Sequence, residues 1–282
     1  MPSDKPFTSV AILGLGAMGG SLARALSGLE AGPAVIGWSP VEEERTAAEA
    51  AGAVISAPAE WQDAVAEADL VVVAAPLKAT CRLIASLANS TPLETTLSDL
   101  ASLKAPLARV VAEAGAQARW VGSHPMAGTE ESGFSASRAD LYDGARVWCV
   151  ADPSAAPRVK RLHALWASLG ARPAAIDAEE HDRLMAVASH LPQLVSNALA
   201  SVLAQNHVSP DRLGPGGTDM TRLAASSSEV WRDLLEHASP DLGAGLRALA
   251  ECSEQIADLL ERGDFDGIER LMKETRAWRL GT

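Results

Sequence analysis

Gly14-Leu15-Gly16-Ala17-Met18-Gly19 follows an apolar run at residues 9–14 and opens a stretch of helical spacing, so it stands where a strand hands over to a helix. That is the setting a dinucleotide-binding glycine turn requires. Gly14 permits the tight turn, Gly16 lets the main chain approach a pyrophosphate, and Gly19 allows the helix to pack close to the strand. Leu15, Ala17 and Met18 complete the turn, and the helix start offers unbonded N–H groups and positive potential to the phosphates. A glycine-rich turn with no ligand is the plain alternative. The strand-turn-helix context near the start of an α/β chain favours the nucleotide.

Working outward, apolar runs recur at 34–38, 69–75, 95–99, 119–123, 146–151 and 172–176, separated by amphipathic stretches, with 53–56 as a short addition. Such alternation predicts βα units and a mostly parallel sheet. Leu70-Val71-Val72-Val73-Ala74-Ala75 is continuously apolar, as a strand covered on both faces must be. Ala75 and Pro76 at its carboxyl end are assigned to the cofactor with the glycine turn. Beyond residue 178 the valine-rich runs stop, and Leu184, Val187, Leu191 and Leu194 recur at helical spacing. We therefore expect a Rossmann-type α/β domain over 1–178 and an all-helical domain over 179–282. Asp152-Pro153-Ser154-Ala155-Ala156-Pro157 looks like a linker, but sheet-like sequence continues after it.

Composition narrows the function. With 36 acidic residues against 24 basic ones and a net charge of -12, the chain repels polyanions, so nucleic acid is not expected as a partner. The three cysteines are widely spaced, form no ligand cluster, and read as packing residues in a reducing compartment; no metal is expected. The N-terminus lacks a leader pattern and no apolar run reaches membrane-spanning length, so a cytoplasmic protein with no membrane contact is expected. Apolar helices over 179–205 and 242–260 present more hydrophobic face than about 100 residues can bury alone, which predicts a homodimer through the helical domain. Self-contained helix packing is the competing use of those faces.

The ribose end of the nucleotide site is ambiguous. An acidic residue about 20 positions past the glycine turn ordinarily binds the 2'-hydroxyl of NAD. Here the place falls on Trp38-Ser39-Pro40. Ser39 can hydrogen-bond a hydroxyl or a phosphate; Arg45 reads as a solvated helix residue, and Glu42, Glu43 and Glu44 oppose a 2'-phosphate. NAD and NADP both stay open.

Chemistry is signalled by Ser123-His124-Pro125-Met126-Ala127-Gly128-Thr129-Glu130-Glu131-Ser132-Gly133, which sets an imidazole just after a predicted strand. Carboxyl ends of strands are where open α/β sheets bind ligands, and histidine titrates near working pH. With Ser98-Asp99-Leu100-Ala101-Ser102-Leu103-Lys104, Ser189-His190-Leu191-Pro192, Gly217-Thr218-Asp219-Met220-Thr221-Arg222 and Trp231-Arg232-Asp233 in order, the chain resembles the prephenate/arogenate dehydrogenases of tyrosine biosynthesis. The resemblance implies NAD(P)-dependent oxidative decarboxylation of a cyclohexadienyl ring, giving 4-hydroxyphenylpyruvate from prephenate or tyrosine from arogenate.

In that role His124 would take the proton of the ring hydroxyl as hydride leaves the same carbon. The resemblance also implies that Ser102 bonds the hydroxyl or His124, with helix N-capping as its ordinary use. Thr129 and Glu130 would line the site from the loop. A lone histidine on an apolar helix is ordinarily a satisfied core residue, but the match turns Ser189 and His190 toward the substrate, with Pro192 bending the helix. Arg222 would clamp a carboxylate by two parallel hydrogen bonds, with an ion pair to Asp219 as its structural alternative. Lys104 would serve the same electrostatic purpose by that resemblance, although a lysine at a helix start is ordinarily solvated.

Two departures from the family pattern touch specificity. Gln193 stands where many relatives carry histidine, and Gly216-Gly217-Thr218-Asp219 follows Pro215 where they read differently. A neutral amide offers donors and acceptors alike, so prephenate and arogenate both remain possible substrates. The length leaves no room for a fused mutase or regulatory domain, so any tyrosine inhibition is expected at the active site. β-Hydroxyacid dehydrogenases share the glycine string but use a lysine of the helical domain, and none lies between Lys160 and Lys273. A catalytically silent NAD sensor is the remaining alternative, which the presence of His124, Ser102 and Arg222 disfavours.

Overall fold

The structure, a computed structural model, describes residues 5–128 and 131–281. The chain divides into two units, one ending at Leu184 and taking in Ala225–Ala238, the other comprising Met185–Ala224 and the chain from Ser239 onward.

The first unit carries every strand of the described residues: β1 (Ser9–Leu13), β2 (Ala34–Trp38), β3 (Leu70–Val73), β4 (Thr96–Asp99), β5 (Val121–Pro125), β6 (Arg146–Ala151) and β7 (Arg172–Ala175). Four form a parallel sheet in the order β2-β1-β3-β4, and three a second sheet, β5-β6-β7, with β5 antiparallel to β6 and β6 parallel to β7. Among the described residues a single parallel bridge, between Leu97 and Trp120, joins the two. Because β5 thus runs with β4, the carboxyl ends of β1, β3, β4 and β5 share one edge.

Side-chain alternation explains why the parallel sheet is covered on both faces. Val10 and Ile12 of β1 enter a core with Leu22, Leu26 and Val35, whereas Ala11 and Leu13 enter another with Val71, Val73, Ile84 and Leu107. The helices of this unit are α1 (Ala17–Ser27), α2 (Glu42–Ala50), α3 (Trp61–Val65), α4 (Leu77–Ser90), α5 (Ala105–Glu113), α6 (Ala156–Ser168) and, at its end, α7 (Ala178–Met185). On α4 the buried positions Leu77, Thr80, Ile84 and Leu87 recur every three or four residues, the stripe of an amphipathic helix.

In the second unit lie α8 (Leu191–Gln205), α9 (Pro215–Thr221), α11 (Asp241–Glu261) and α12 (Phe265–Leu280); α10 (Ser228–Leu235) belongs to the first. Leu249, Ile256 and Leu260 form an exposed apolar stripe along α11, and Met272, Trp278 and Leu280 are exposed on α12. Among the described residues no helix is long and apolar enough to cross a membrane.

Several expected boundaries move. Pairing of β5 with β6 continues through His124 opposite Trp148 and Pro125 opposite Val147, so His124 lies inside the strand's last turn of pleat rather than after it. The run at 53–56 contributes one bridge, Ile36 to Ser56, before Pro58, which has no N–H to extend it. A π-helical segment, Ala186–His190, precedes α8, and Pro192 falls in the first turn of α8. The winding is continuous from the π segment into α8, so the wider turn falls just where the proline, lacking an N–H, leaves one hydrogen bond out, and no kink is centred on the proline itself.

Candidate active site

The glycine turn is built as its sequence implies. Gly14 has φ +109°, and a methyl group on it would lie 2.1 Å from the Ala74 carbonyl oxygen. One on Gly19 would lie 1.9 Å from the Gly14 carbonyl oxygen, so α1 meets β1 only because both side chains are absent. Gly16 caps α1 and is different: the nearest group to a methyl there, Glu44 Oε1, would be 3.7 Å away. Leu15 points into the core, Ala17 opens the helix, and the Met18 carbonyl accepts the Tyr142 hydroxyl at 2.7 Å. No acidic residue occupies the first turn of α1, so its positive end is not neutralised locally.

Beside this turn is a pocket of about 490 Å³ lined by Gly14, Gly16, Ser39, Glu44, Ala75 and Pro76, with Trp38, Trp61 and Arg82 also on its wall. Its volume suits a small-molecule or cofactor site. An open glycine cradle, a helix N-terminus and aromatic walls are the donor set that fits a dinucleotide.

The end of the pocket beside Ser39 is clearer in three dimensions. Ser39 is buried, donates its hydroxyl to Glu44 Oε2 at 2.5 Å and accepts the Val41 N–H at 3.2 Å. Arg45 is half-buried, not solvated, and gives Nη1 to the Ser39 carbonyl at 2.6 Å. The acidic group at this end of the pocket therefore comes from α2, a turn beyond the strand end where sequence reasoning looked for it.

His124 belongs to a buried polar chain. Its Nδ1 lies 2.9 Å from His181 Nε2, the two rings edge to face with centroids 5.0 Å apart. His181 Nδ1 lies 2.7 Å from Asp182 Oδ1. Asp182 also accepts the Lys104 N–H at Oδ1 (2.8 Å) and the Ala105 N–H at Oδ2 (2.9 Å), the start of α5. A carboxylate from a distant segment thus caps this helix, whose N-cap position is Lys104 and not Ser102. His124 is 8% exposed and His181 fully buried. Ser102 is exposed in the loop after β4.

Lys104 departs most from expectation. Its side chain is fully buried, with Nζ 2.5 Å from Asp99 Oδ1. Asp99 at the end of β4 also accepts the Ala101 N–H at 3.0 Å and the Trp120 indole N–H at 3.0 Å, so the ion pair sits in a satisfied polar nest. Elsewhere in this unit Asp233, Glu236 and His237 cluster, but Lys78 occupies the two carboxylates at 3.5 and 2.6 Å.

In the second unit Ser189 is half-buried and His190 buried in the π-helical segment. Gln193 is buried and gives both amide hydrogens to protein acceptors, Asn197 Oδ1 at 2.9 Å and the Leu223 carbonyl at 2.7 Å. Asp219 on α9 and Arg222 just after it are exposed. Thr129 and Glu130 lie outside the described residues.

Sequence reasoning missed His181, Asp182, Trp61 and Arg82, and named Glu44 only as one of three acidic residues that oppose a 2'-phosphate. The available signal for the first two was a His-Asp dipeptide at the start of the helix after β7, with no spacing rule to tie it to residue 124.

Comparison with known proteins agrees with this architecture. Residues 22–174 match the family profile "Prephenate dehydrogenase, nucleotide-binding domain" and residues 177–274 "Prephenate dehydrogenase, dimerization domain". The chain is 28% identical to a cyclohexadienyl dehydrogenase of Zymomonas mobilis over 97% of its own length and 96% of the relative's. It is 28% identical to a prephenate dehydrogenase of Bacillus subtilis, covering 97% of this chain and 76% of that one. Among solved structures, prephenate dehydrogenase from Aquifex aeolicus in complex with hydroxyphenyl propionate and NAD+ superposes with a TM-score of 0.86 at 26% identity, covering 97% of each chain.

Proposed function

The chain belongs to the prephenate dehydrogenase family and is an oxidoreductase with prephenate/arogenate dehydrogenase activity; from that premise we propose how its own residues carry the reaction. The Gly14-to-Gly19 turn and the start of α1 hold the pyrophosphate of the dinucleotide, and Ala75 and Pro76 flank it after β3. When bound, the nicotinamide supplies the hydride acceptor.

His124 takes the ring hydroxyl proton at Nε2, the nitrogen not facing His181. As the hydroxyl carbon gains carbonyl character, the bond to the ring carboxylate breaks, CO2 leaves, and its electron pair enters the ring to make it aromatic. Little driving force is needed from the protein for that step; alignment is its main task. Support for the base comes from one observation, a buried imidazole at the carboxyl end of β5, on the sheet edge shared with the glycine turn.

Ser102 meets the substrate hydroxyl from the exposed loop after β4. Arg222 clamps a carboxylate, and Thr129, Glu130, Ser189, His190, Gln193 and Asp219 contact substrate, roles that rest on the family resemblance. For the cofactor, Glu44 favours NAD: its carboxylate stands beside Gly16 and Ser39, where a 2'-phosphate would meet like charge. The apolar stripes of α11 and α12 support a homodimer through the helical unit.

The test is the initial rate of cofactor reduction with prephenate and arogenate, each paired with NAD and NADP. Turnover with at least one substrate is expected, fastest with NAD. His124→Asn should lower kcat about 100-fold, the scale of a lost general base, with dinucleotide binding kept. Near-normal turnover by that variant would remove His124 from the mechanism.

A further inference from the structure

We propose that His181 and Asp182 are positioning residues for the base: they fix the tautomer of His124 and share the charge it gains. This rests on the reading of His124 as the base. Asp182 is the anchor, because two main-chain N–H groups, of Lys104 and Ala105, donate to its two oxygens. Two main-chain donors, one on each oxygen, favour the acceptor-only carboxylate form of this group. Its contact with His181 at 2.7 Å is then a hydrogen bond donated by His181 Nδ1–H. In neutral His181 that leaves Nε2 bare, an acceptor, and the only donor His124 can offer it at 2.9 Å is Nδ1–H. Neutral His124 is then left with its lone pair on Nε2.

The direction of every hydrogen bond in the chain follows from two backbone amides. The logic is that of a carboxylate orienting a catalytic imidazole, extended by one ring.

When the substrate O–H bond breaks, the proton goes to His124 Nε2 and the imidazolium forms with Nδ1–H already directed at His181. The positive charge is stabilised through His181 by the Asp182 carboxylate, in a site where burial strengthens each bond. Among the described residues, the charged and titratable groups along this hydrogen-bonded chain are His124, His181 and Asp182; Lys104, whose N–H joins it, turns its ammonium to Asp99. Because Asp182 favours the protonated base, losing its charge lowers the pH at which His124 gives up its proton. The low-pH limb of kcat/KM then moves to lower pH while kcat falls for want of the correct tautomer.

Two measurements decide the matter. Long-range proton-nitrogen NMR on histidine-labelled protein, assigned with His124→Asn and His181→Gln, reads the tautomers without turnover. Nδ1–H with bare Nε2 on both neutral rings is expected, and Nε2–H on either ring overturns the proposal. Asp182→Asn should then cost about 100-fold in kcat, within the range of general acid-base catalysis, and shift the low-pH limb downward. NADH binding, followed by quenching of Trp38 and Trp61 in the pocket wall, should be unchanged. A lowered rate with an unmoved limb would make Asp182 structural only and refute the proposal. If Asp182→Asn does not fold, or the unaltered protein turns over neither substrate, the tautomers still decide this inference, while silence with both substrates separately refutes the reading of the reaction.

Discussion

Lys104→Met isolates the buried ion pair beneath the site. Methionine keeps most of the apolar stem and removes the ammonium, leaving Asp99 with the Ala101 and Trp120 N–H groups but without the cation 2.5 Å away. Both side chains are 0% exposed, so water cannot take over. Removing one partner of a buried pair costs about 3–5 kcal/mol, because the remaining charge is stranded. For a unit of this size each kcal/mol moves the melting temperature by about 2–4 °C, so a fall of roughly 6–20 °C is expected. Thermal unfolding followed by tryptophan emission suits the assay, since the Trp120 indole is bonded to Asp99 itself. Combining Lys104→Met with Asp99→Asn removes both charges and should recover most of the loss, as replacing a whole buried pair is often nearly neutral. A single-variant cost below about 1 kcal/mol, or a double variant no better than the single, would refute the stranded-charge account.

Three further outcomes are expected. Gly19→Ala, whose methyl would sit 1.9 Å from the Gly14 carbonyl oxygen and 2.9 Å from Ala74 Cβ, must push α1 off the turn; dinucleotide affinity measured by fluorescence should fall at least about tenfold, alongside an overpacking cost of roughly 1–3 kcal/mol, and unchanged affinity would contradict the close-packing role. Glu44→Gln should raise the kcat/KM for NADP relative to NAD about tenfold or more, the worth of one like-charge contact near a surface, and an unmoved ratio would remove Glu44 from cofactor choice. Burial pushes the Cys149 thiol up to about 12, so at mildly alkaline pH it stays protonated and unreactive in the folded chain. Alkylation followed by peptide mapping across a urea series should show Cys149 labelled only as the protein unfolds; labelling under native conditions would contradict that burial.

What could be read in advance depended on whether the signal was local. Gly14, Gly16 and Gly19 lie within one turn and carry their geometry in their spacing, and the apolar run from Leu70 announces a strand buried on both faces. His124 was singled out because its neighbours form a recognisable string, and its proposed role rests on that string and on its burial at the end of β5. Its partners were not: His181 is 57 residues away and Asp182 meets a helix start 78 residues back, distances over which no periodicity connects two positions. Lys104 was misread because a lysine at a helix start is ordinarily wet, and only the fold brings the end of β4 over it. Glu44 could not be told apart from Glu42 and Glu43 in the sequence, because only the fold shows that Ser39 ties the Glu44 carboxylate of α2 into the pocket.

Among the described residues, one backbone bridge, Leu97 to Trp120, joins the sheet that carries the glycine turn to the sheet that carries His124. The two sheets nonetheless share their cores: Val10 and Ile12 of β1 pack in one cluster with Val121, Val147 and Cys149, and Leu13 packs in another with Trp120 and Val150. A substitution on β5 or β6 that alters this packing is therefore felt by the strand that ends in the glycine turn, so the two sheets cannot be reshaped independently.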